Sequence, residues 1–229
     1  TTGGLLDESG RVISAISLRT DFEHLVAQPW VHSGMQLKLE QIDQILGGLP
    51  DTASVSITSV ENLARELFTH RGAGTLIRKG EAIIEIDRFD SDSQNRARSL
   101  LEQSFRRVLK PGYFENLPLQ CTLASESYGA MAIVLKGVNG ISYLDKFAVT
   151  PEAQGAGMGA AVWQALVHKC PKLYWRSRAD NPVTQWYYEQ ADSSFARGSW
   201  VAFTRGLDDF DLIRSCIDNC ISRPESWEA

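Results

Sequence analysis

The apolar run Phe147-Ala148-Val149 is followed, five residues on, by Gln154-Gly155-Ala156-Gly157-Met158-Gly159, whose glycines lead a helical pattern over Gly155–Cys170. Alternating glycines at the mouth of a helix let successive backbone N–H groups converge on one point. The helix N-terminus adds partial positive charge there, so the segment has the chemistry of a phosphate cradle. One fit is the relaxed dinucleotide fingerprint, Gly155-x-Gly157-x-x-Ala160. That fingerprint wants its first glycine directly after the strand and an acidic residue about twenty positions on. Here Thr150 to Gln154 intervene, and Trp175-Arg176-Ser177-Arg178 stands near the acidic position. A tight turn into a packed helix, with no ligand, is the bland alternative.

The surrounding pattern predicts a mixed sheet flanked by helices. Ile83–Ile86 reads as a strand and Asp92–Leu109 as a helix, with Leu101, Phe105 and Val108 on one face and Pro111-Gly112 as its stop. A meander follows over Cys121–Ser125, Ala130–Lys136 and Ile141–Val149, with Val138-Asn139-Gly140 as a turn. Lys172–Arg178 predicts a strand, Pro182–Ala191 a short helix, Phe195 and Trp200–Thr204 a closing pair of strands, and Asp208–Ile221 an amphipathic helix. Ahead of these, Val12–Ile16 has strand character, and Met35, Leu39, Ile42, Leu46 and Leu49 recur at helical spacing up to Gly47-Gly48. Ser54–Ile57 alternates as a strand, and Thr58 with Glu61 forms a capping box for a helix carrying Leu63 and Leu67.

Composition narrows the functions. Lys and Arg number 23 against 28 Asp and Glu, a net charge of −5, and the basic excess of a nucleic-acid-binding domain is missing. Apolar residues at 43% exclude a disordered chain. The longest apolar stretch, Ala130–Leu135, is too short for a bilayer, so no membrane is expected. Cys121, Cys170, Cys216 and Cys220 form no CxxC pair, suit a reducing compartment, and read as packed side chains; no metal site is expected. The opening Thr1-Thr2-Gly3-Gly4 has no methionine and no leader pattern, so the chain reads as a piece of a longer polypeptide.

A second fit to the glycine motif is the Gln/Arg-x-x-Gly-x-Gly/Ala signature of the GNAT N-acetyltransferases, met by Gln154, Gly157 and Gly159. With Tyr143-Leu144-Asp145-Lys146-Phe147, Tyr174-Trp175-Arg176-Ser177-Arg178, Asn181-Pro182 and Trp186-Tyr187, residues 80–229 resemble the acetyltransferase domain of the N-acetylglutamate synthase family. The branch is the vertebrate type, which also occurs in bacteria as a bifunctional synthase/kinase. Residues 1–79 resemble the C-terminal part of an acetylglutamate-kinase-like amino-acid kinase domain. The motifs are Thr2-Gly3-Gly4-Leu5-Leu6-Asp7, Ser33-Gly34-Met35-Gln36-Leu37-Lys38 and Glu66-Leu67-Phe68-Thr69-His70-Arg71-Gly72-Ala73-Gly74-Thr75. The resemblance implies an α/β chain: a GNAT fold preceded by a partial α/β amino-acid kinase domain.

It further implies acetyl transfer from acetyl-CoA to the α-amino group of L-glutamate, a step of arginine biosynthesis, with no metal. Coenzyme A would rest on Gln154, Gly155, Gly157, Met158 and Gly159, its pantetheine arm pairing with backbone of the strand through Phe147, Ala148 and Val149. Arg176 and Arg178 alternate on one strand and so share a face; with Lys146 they can clamp a dicarboxylate. Tyr187 and Asn181 match the family's catalytic pair. Lys38 matches a phosphate-binding lysine, and Glu66 and Gly72 an arginine effector site, although Ser56 stands where kinase members often carry a histidine. The glycine-rich phosphate loop of the kinase is absent from these residues, so no phosphorylation is expected of them. L-Arginine as effector of the full-length protein, a homo-oligomer formed through the kinase domain, and a bacterial cytoplasm or a mitochondrial matrix also belong to the family picture. An acetyltransferase for another amine and a non-catalytic acetyl-CoA- or arginine-sensing module are the competing readings.

Overall fold

The computed structural model describes residues 3–31, 34–49, 53–63, 74–115, 117–154 and 157–228. The chain divides into two compact units, residues 1–82 with 155–161, and residues 83–154 with 162–229. Among the described residues no helix is long and apolar enough to cross a membrane.

The first unit contains β1 (Ala15–Ser17), α1 (Leu18–Val26), α2 (Gly34–Gly47), β2 (Ser54–Ile57) and β3 (Thr75–Arg78). Its sheet has the order β1-β3-β2, with β1 parallel and β2 antiparallel to β3. The helical spacing read in α2 is visible in its burial: Leu39, Ile42 and Leu46 enter a core with Ile16, Leu25 and Ile77. Leu49 lies past the end of the helix and is exposed. Lys38 stands on α2 and is exposed. The strand expected from Val12 begins at Ala15. After Ser59 the chain makes a 3₁₀ turn over Val60–Asn62. Residues 64–73, with Glu66 and Gly72, lie outside the described residues, as does most of the helix expected there.

The second unit is built on β4 (Ile83–Ile86), α3 (Ser91–Phe105), β5 (Leu119–Ser125), β6 (Ala130–Lys136), β7 (Ser142–Val149) and α4 (Pro151–Gln154). It continues through α5 (Met158–Lys169, shared with the first unit), β8 (Leu173–Arg178), α6 (Thr184–Gln190), β9 (Ser193–Arg197), β10 (Trp200–Arg205) and α7 (Phe210–Ser222). Seven strands make one sheet in the order β4-β5-β6-β7-β8-β10-β9, in which only β7 and β8 run parallel. The strands of the meander are apolar almost throughout because helices cover both faces; Met131, Ile133 and Val134 are fully buried.

Three local features position the site. The first is a bulge in β7. Lys146 faces Ile133 and Leu144 faces Val134 on β6, so Asp145 has no residue opposite it. An extra residue bends a strand and breaks its pleat. Accordingly β7 pairs with β8 only at Ser142–Leu173, Tyr143–Tyr174 and Leu144–Trp175, and beyond Leu144 the two strands part.

The second is the end of α3. Asp90 caps its start, accepting from the Ser93 amide at 2.8 Å, while the Asp90 amide donates to Ser93 Oγ at 2.9 Å. The helix ends at Phe105, four residues short of the expected end at Leu109, and its cap Arg106 has a left-handed φ of 52°. Val108 is therefore exposed rather than on the helix's apolar face. The left-handed stop comes before the Pro111-Gly112 pair that was read as the signal.

The third is a C-terminal strap after α7. Lys110 N donates to Ser226 O and Glu228 N to Val108 O, both at 2.9 Å, around a bridge between Leu109 and Trp227. The Trp227 ring lies 4.8 Å from that of Phe105.

Candidate active site

Where β7 and β8 part, the second unit contains a cavity of about 180 Å³. Leu144 to Phe147 of β7 line one wall and Trp175 to Arg178 of β8 the other. Asn181, Tyr187, Arg107, Trp200 and Glu225 to Trp227 complete the lining. Lys146, Arg176, Arg178, Asn181 and Tyr187, separated by up to 41 positions in sequence, thus line one cavity.

The three cations have partners, and the partners differ in kind. Lys146 is buried; its Nζ lies 2.6 Å from Asp145 Oδ2 and donates to Ser226 Oγ at 3.0 Å. Arg176 donates from Nη1 to the carbonyls of Cys220 (3.0 Å) and Ile221 (3.3 Å), and from Nη2 to that of Pro224 (3.0 Å). It thereby satisfies carbonyls at the C-terminal end of α7, which have no intrahelical donor. Arg178 donates to Ser199 Oγ at 2.9 Å and pairs with the Glu225 carboxylate. Of the three, Arg178 alone holds a carboxylate from a distant part of the chain. Arg107 holds the same one, with both Nη atoms 3.3 Å from Glu225 Oε2. The Trp200 indole lies against both strand arginines, 4.0 Å from Arg176 Cζ and 4.2 Å from Arg178 Cζ.

The buried ion pair sets the protonation at the β7 wall. Burial alone would raise the Asp145 carboxyl. Lys146 and the Tyr113 hydroxyl, which donates to Asp145 Oδ2 at 2.6 Å, outweigh that and hold the group below the usual carboxylate range.

Tyr187 is buried among Trp163, Trp175, Trp186 and Phe203, with ring centroids 5.4 to 6.1 Å away. Burial pushes its phenol well above the ordinary value, so it stays protonated near neutrality and can only give a proton. Asn181 turns the chain into α6: its Oδ1 accepts from Val183 N at 3.1 Å. With the carbonyl engaged, the amide NH₂ is the part of the side chain left to act, as a donor.

The edge of Asp145–Val149 that faces away from β6 has no strand partner among the described residues. Phe147, Ala148 and Val149 lie on it; Phe147 stacks on Trp186 at 5.7 Å. Of the glycine motif, Gln154 ends α4, Gly157 has φ +75°, and Met158 and Gly159 open α5. Gly155 and Ala156 lie outside the described residues. Helix α5 therefore begins three residues later than Gly155, where the pattern had placed it.

Arg107, Trp200, Glu225 and Ser226 line the cavity without having been read from the sequence. No spacing marks them. Arg107 depends on the early end of α3, and the strap residues follow the last helix in a stretch with neither helical nor strand periodicity.

The model of a family described as the N-acetyltransferase of N-acetylglutamate synthase matches residues 81–223. The protein named acetylglutamate kinase of Xylella fastidiosa is 45% identical over 223 residues, covering 97% of this chain and 53% of that protein. The mitochondrial N-acetylglutamate synthase of Homo sapiens is 33% identical over 230 residues, covering 99% of this chain and 43% of that protein. The chain thus spans about half the length of these curated relatives. Among solved structures, N-acetylglutamate synthase from Neisseria gonorrhoeae, complexed with coenzyme A and N-acetyl-glutamate, aligns at a TM-score of 0.44 and 16% identity over 90% of this chain and 54% of that one.

Proposed function

This chain belongs to the N-acetyltransferase family of N-acetylglutamate synthase, and from that premise we propose that it transfers the acetyl group of acetyl-CoA to the α-amino group of L-glutamate. The observation that carries the reading is the opening between β7 and β8, with an unpaired strand edge on one side and guanidinium, phenol and carboxamide groups lining its cavity.

Acetyl-CoA, when bound, supplies a thioester. The free edge of Asp145–Val149 offers backbone donors and acceptors to an amide-bearing arm, and the left-handed Gly157 at the start of α5 suits a close approach by phosphate. Arg178 and Arg107 hold a carboxylate of the acceptor, a charge-assisted contact in which guanidinium geometry gives direction as well as strength. The Asn181 amide donates to an oxygen in the cavity, of the carbonyl under attack or of a positioned water. Tyr187, kept protonated by burial, gives its proton to the leaving thiolate and takes one back from the nitrogen as it becomes the amide. Asp145, ion-paired with Lys146, is a weak base, so the proton of the acceptor ammonium leaves through water.

Lys38 on α2, with Glu66 and Gly72, belongs to a kinase-derived part that in the full-length protein takes L-arginine as effector and forms a homo-oligomer; the compartment we propose is the cytoplasm of a bacterium.

The test is thiol release from acetyl-CoA across a panel of amines. Glutamate should be acetylated well ahead of aspartate, glutamine and polyamines. Faster turnover of a polyamine or a peptide N-terminus, or no release with any amine, would remove the reading.

A further inference from the structure

The guanidinium groups of Arg178 and Arg107 come from different elements, β8 and the segment after α3, and they meet on one carboxylate that belongs to the chain itself. Arg178 engages Glu225 Oε1 and Arg107 engages Oε2. We propose that Glu225 is an internal stand-in for an acceptor carboxylate, and that its displacement sets the affinity of the site for the acceptor. This rests on the reading that the acceptor is a dicarboxylic amino acid.

Three observations support it. The group in the clamp is chemically the one the acceptor would bring, since Glu225 carries the same carboxylate arm as glutamate. The contact is replaceable: the Arg178 and Glu225 side chains are 38% and 34% exposed, so water can reach the pair and exchange of partners does not strand a buried charge. The strap does not need this carboxylate to stay in place. Its backbone is held by Lys110 and Glu228 amide bonds, by Lys110 Nζ on Glu225 O at 2.9 Å, by Arg176 on Pro224 O, and by Trp227 on Phe105.

A place for the displaced side chain also exists. A second cavity of about 310 Å³ adjoins the strap and is lined by Lys110, Tyr113 and Arg223 together with Glu225. Two cations there can receive the carboxylate when it leaves Arg178. The side chain then exchanges between two sets of positive partners, and the acceptor competes for one set.

Competition of this kind divides the intrinsic Kd by the fraction of time the clamp is free. A side chain seated about nine-tenths of the time would raise the apparent Kd about tenfold. Glu225→Gln keeps the shape and removes the charge. Its KM for glutamate should fall about three- to tenfold with kcat within about twofold of wild type. Calorimetry with glutarate as a dicarboxylate probe should show its Kd falling by the same factor. Unchanged or raised constants would mean that Glu225 holds the arginines ready, and would overturn the proposal. If no glutamate is acetylated yet glutarate binds more tightly to the variant, the acceptor reading fails and the stand-in survives. If glutamate is acetylated and both constants are unmoved, the reverse holds. Glutarate binding to neither protein, with no glutamate acetylated, overturns both. Should the Gln variant lose its cooperative melt, Glu225→Asp, shorter by one methylene, tests the same direction by drawing the carboxylate away from Arg107.

Discussion

Asp145 and Lys146 are neighbours in the chain, yet their side chains form an ion pair of 2.6 Å. Successive side chains of a regular strand point to opposite faces. The pair exists because Asp145 is the unpaired residue of the β7 bulge, so the distortion that opens the cavity also places a salt bridge beside it.

Breaking that pair should be costly. Asp145→Asn leaves the Lys146 ammonium buried without its counter-charge, which typically costs about 3–5 kcal/mol. Urea denaturation should show a loss near the low end, since the amide oxygen still accepts from Lys146. The wild type carries an acid-sensitive share of stability. Because the folded Asp145 carboxyl is depressed, that share is complete above the unfolded value of about 3.9 and is lost as pH falls through the lower folded one. The variant should lack this acid limb; a change under about 1 kcal/mol and an unaltered acid profile would place the stabilisation elsewhere.

The two strand arginines should separate by assay. Arg178→Ala should raise the glutamate KM about tenfold, the loss of one charge-assisted contact, with little change in Tm. Arg176→Ala removes the donors to three backbone carbonyls, two in the last turn of α7 and one after it, and should lower stability by about 1–3 kcal/mol. Equal melting points for the two variants would contradict this division.

Trp200 faces Arg178 across the β8–β10 ladder, and its ring touches both guanidinia. Trp200→Leu removes the aromatic face and should raise the glutamate KM a few-fold, as expected for cation–π contacts of about 0.5–1 kcal/mol each. Trp200→Phe should recover part of the loss, and kcat should hold in both. A fall in kcat at constant KM would indicate a different role for the ring.

Removing the Tyr187 hydroxyl should affect chemistry rather than binding. Tyr187→Phe keeps the ring among Trp163, Trp175 and Trp186, so packing is preserved. General-acid assistance is worth about 10²–10⁴-fold, and a thiolate is a fair leaving group, so single-turnover acetyl transfer should slow by about a hundredfold. A rate within twofold of wild type takes the hydroxyl out of the mechanism.

Gly157 tests the cradle. Among the described residues the nearest atom a Cβ there would meet, its chain neighbours aside, is the Ala15 Cβ at 3.9 Å, so Gly157→Ala is accommodated by them. Its φ of +75° still costs an L-residue about 1–2 kcal/mol. Gly157→Asp adds a negative charge, and coenzyme A affinity measured by calorimetry should fall further than in the alanine variant. Equal affinities in all three proteins would move the phosphate site elsewhere.

The sequence by itself determined the parts of this protein that follow from local periodicity. Apolar spacing located α2 and α7, alternation located β2, continuous apolar runs between turn signals located the meander strands, and the two-residue repeat put Arg176 and Arg178 on one face. The glycine string identified the start of a helix and the kind of ligand to expect. Tertiary structure decided what those residues touch. Asp145 becomes a bulge only when β6 is paired beside it, because register is a relation between two strands. Arg106 ends α3 in a left-handed turn that no glycine announces. Glu225 enters the clamp because Trp227 and the Lys110 side chain fold the strap back over 115 positions of chain. A carboxylate so far away in sequence has no periodic signature, and its partner is set by packing alone.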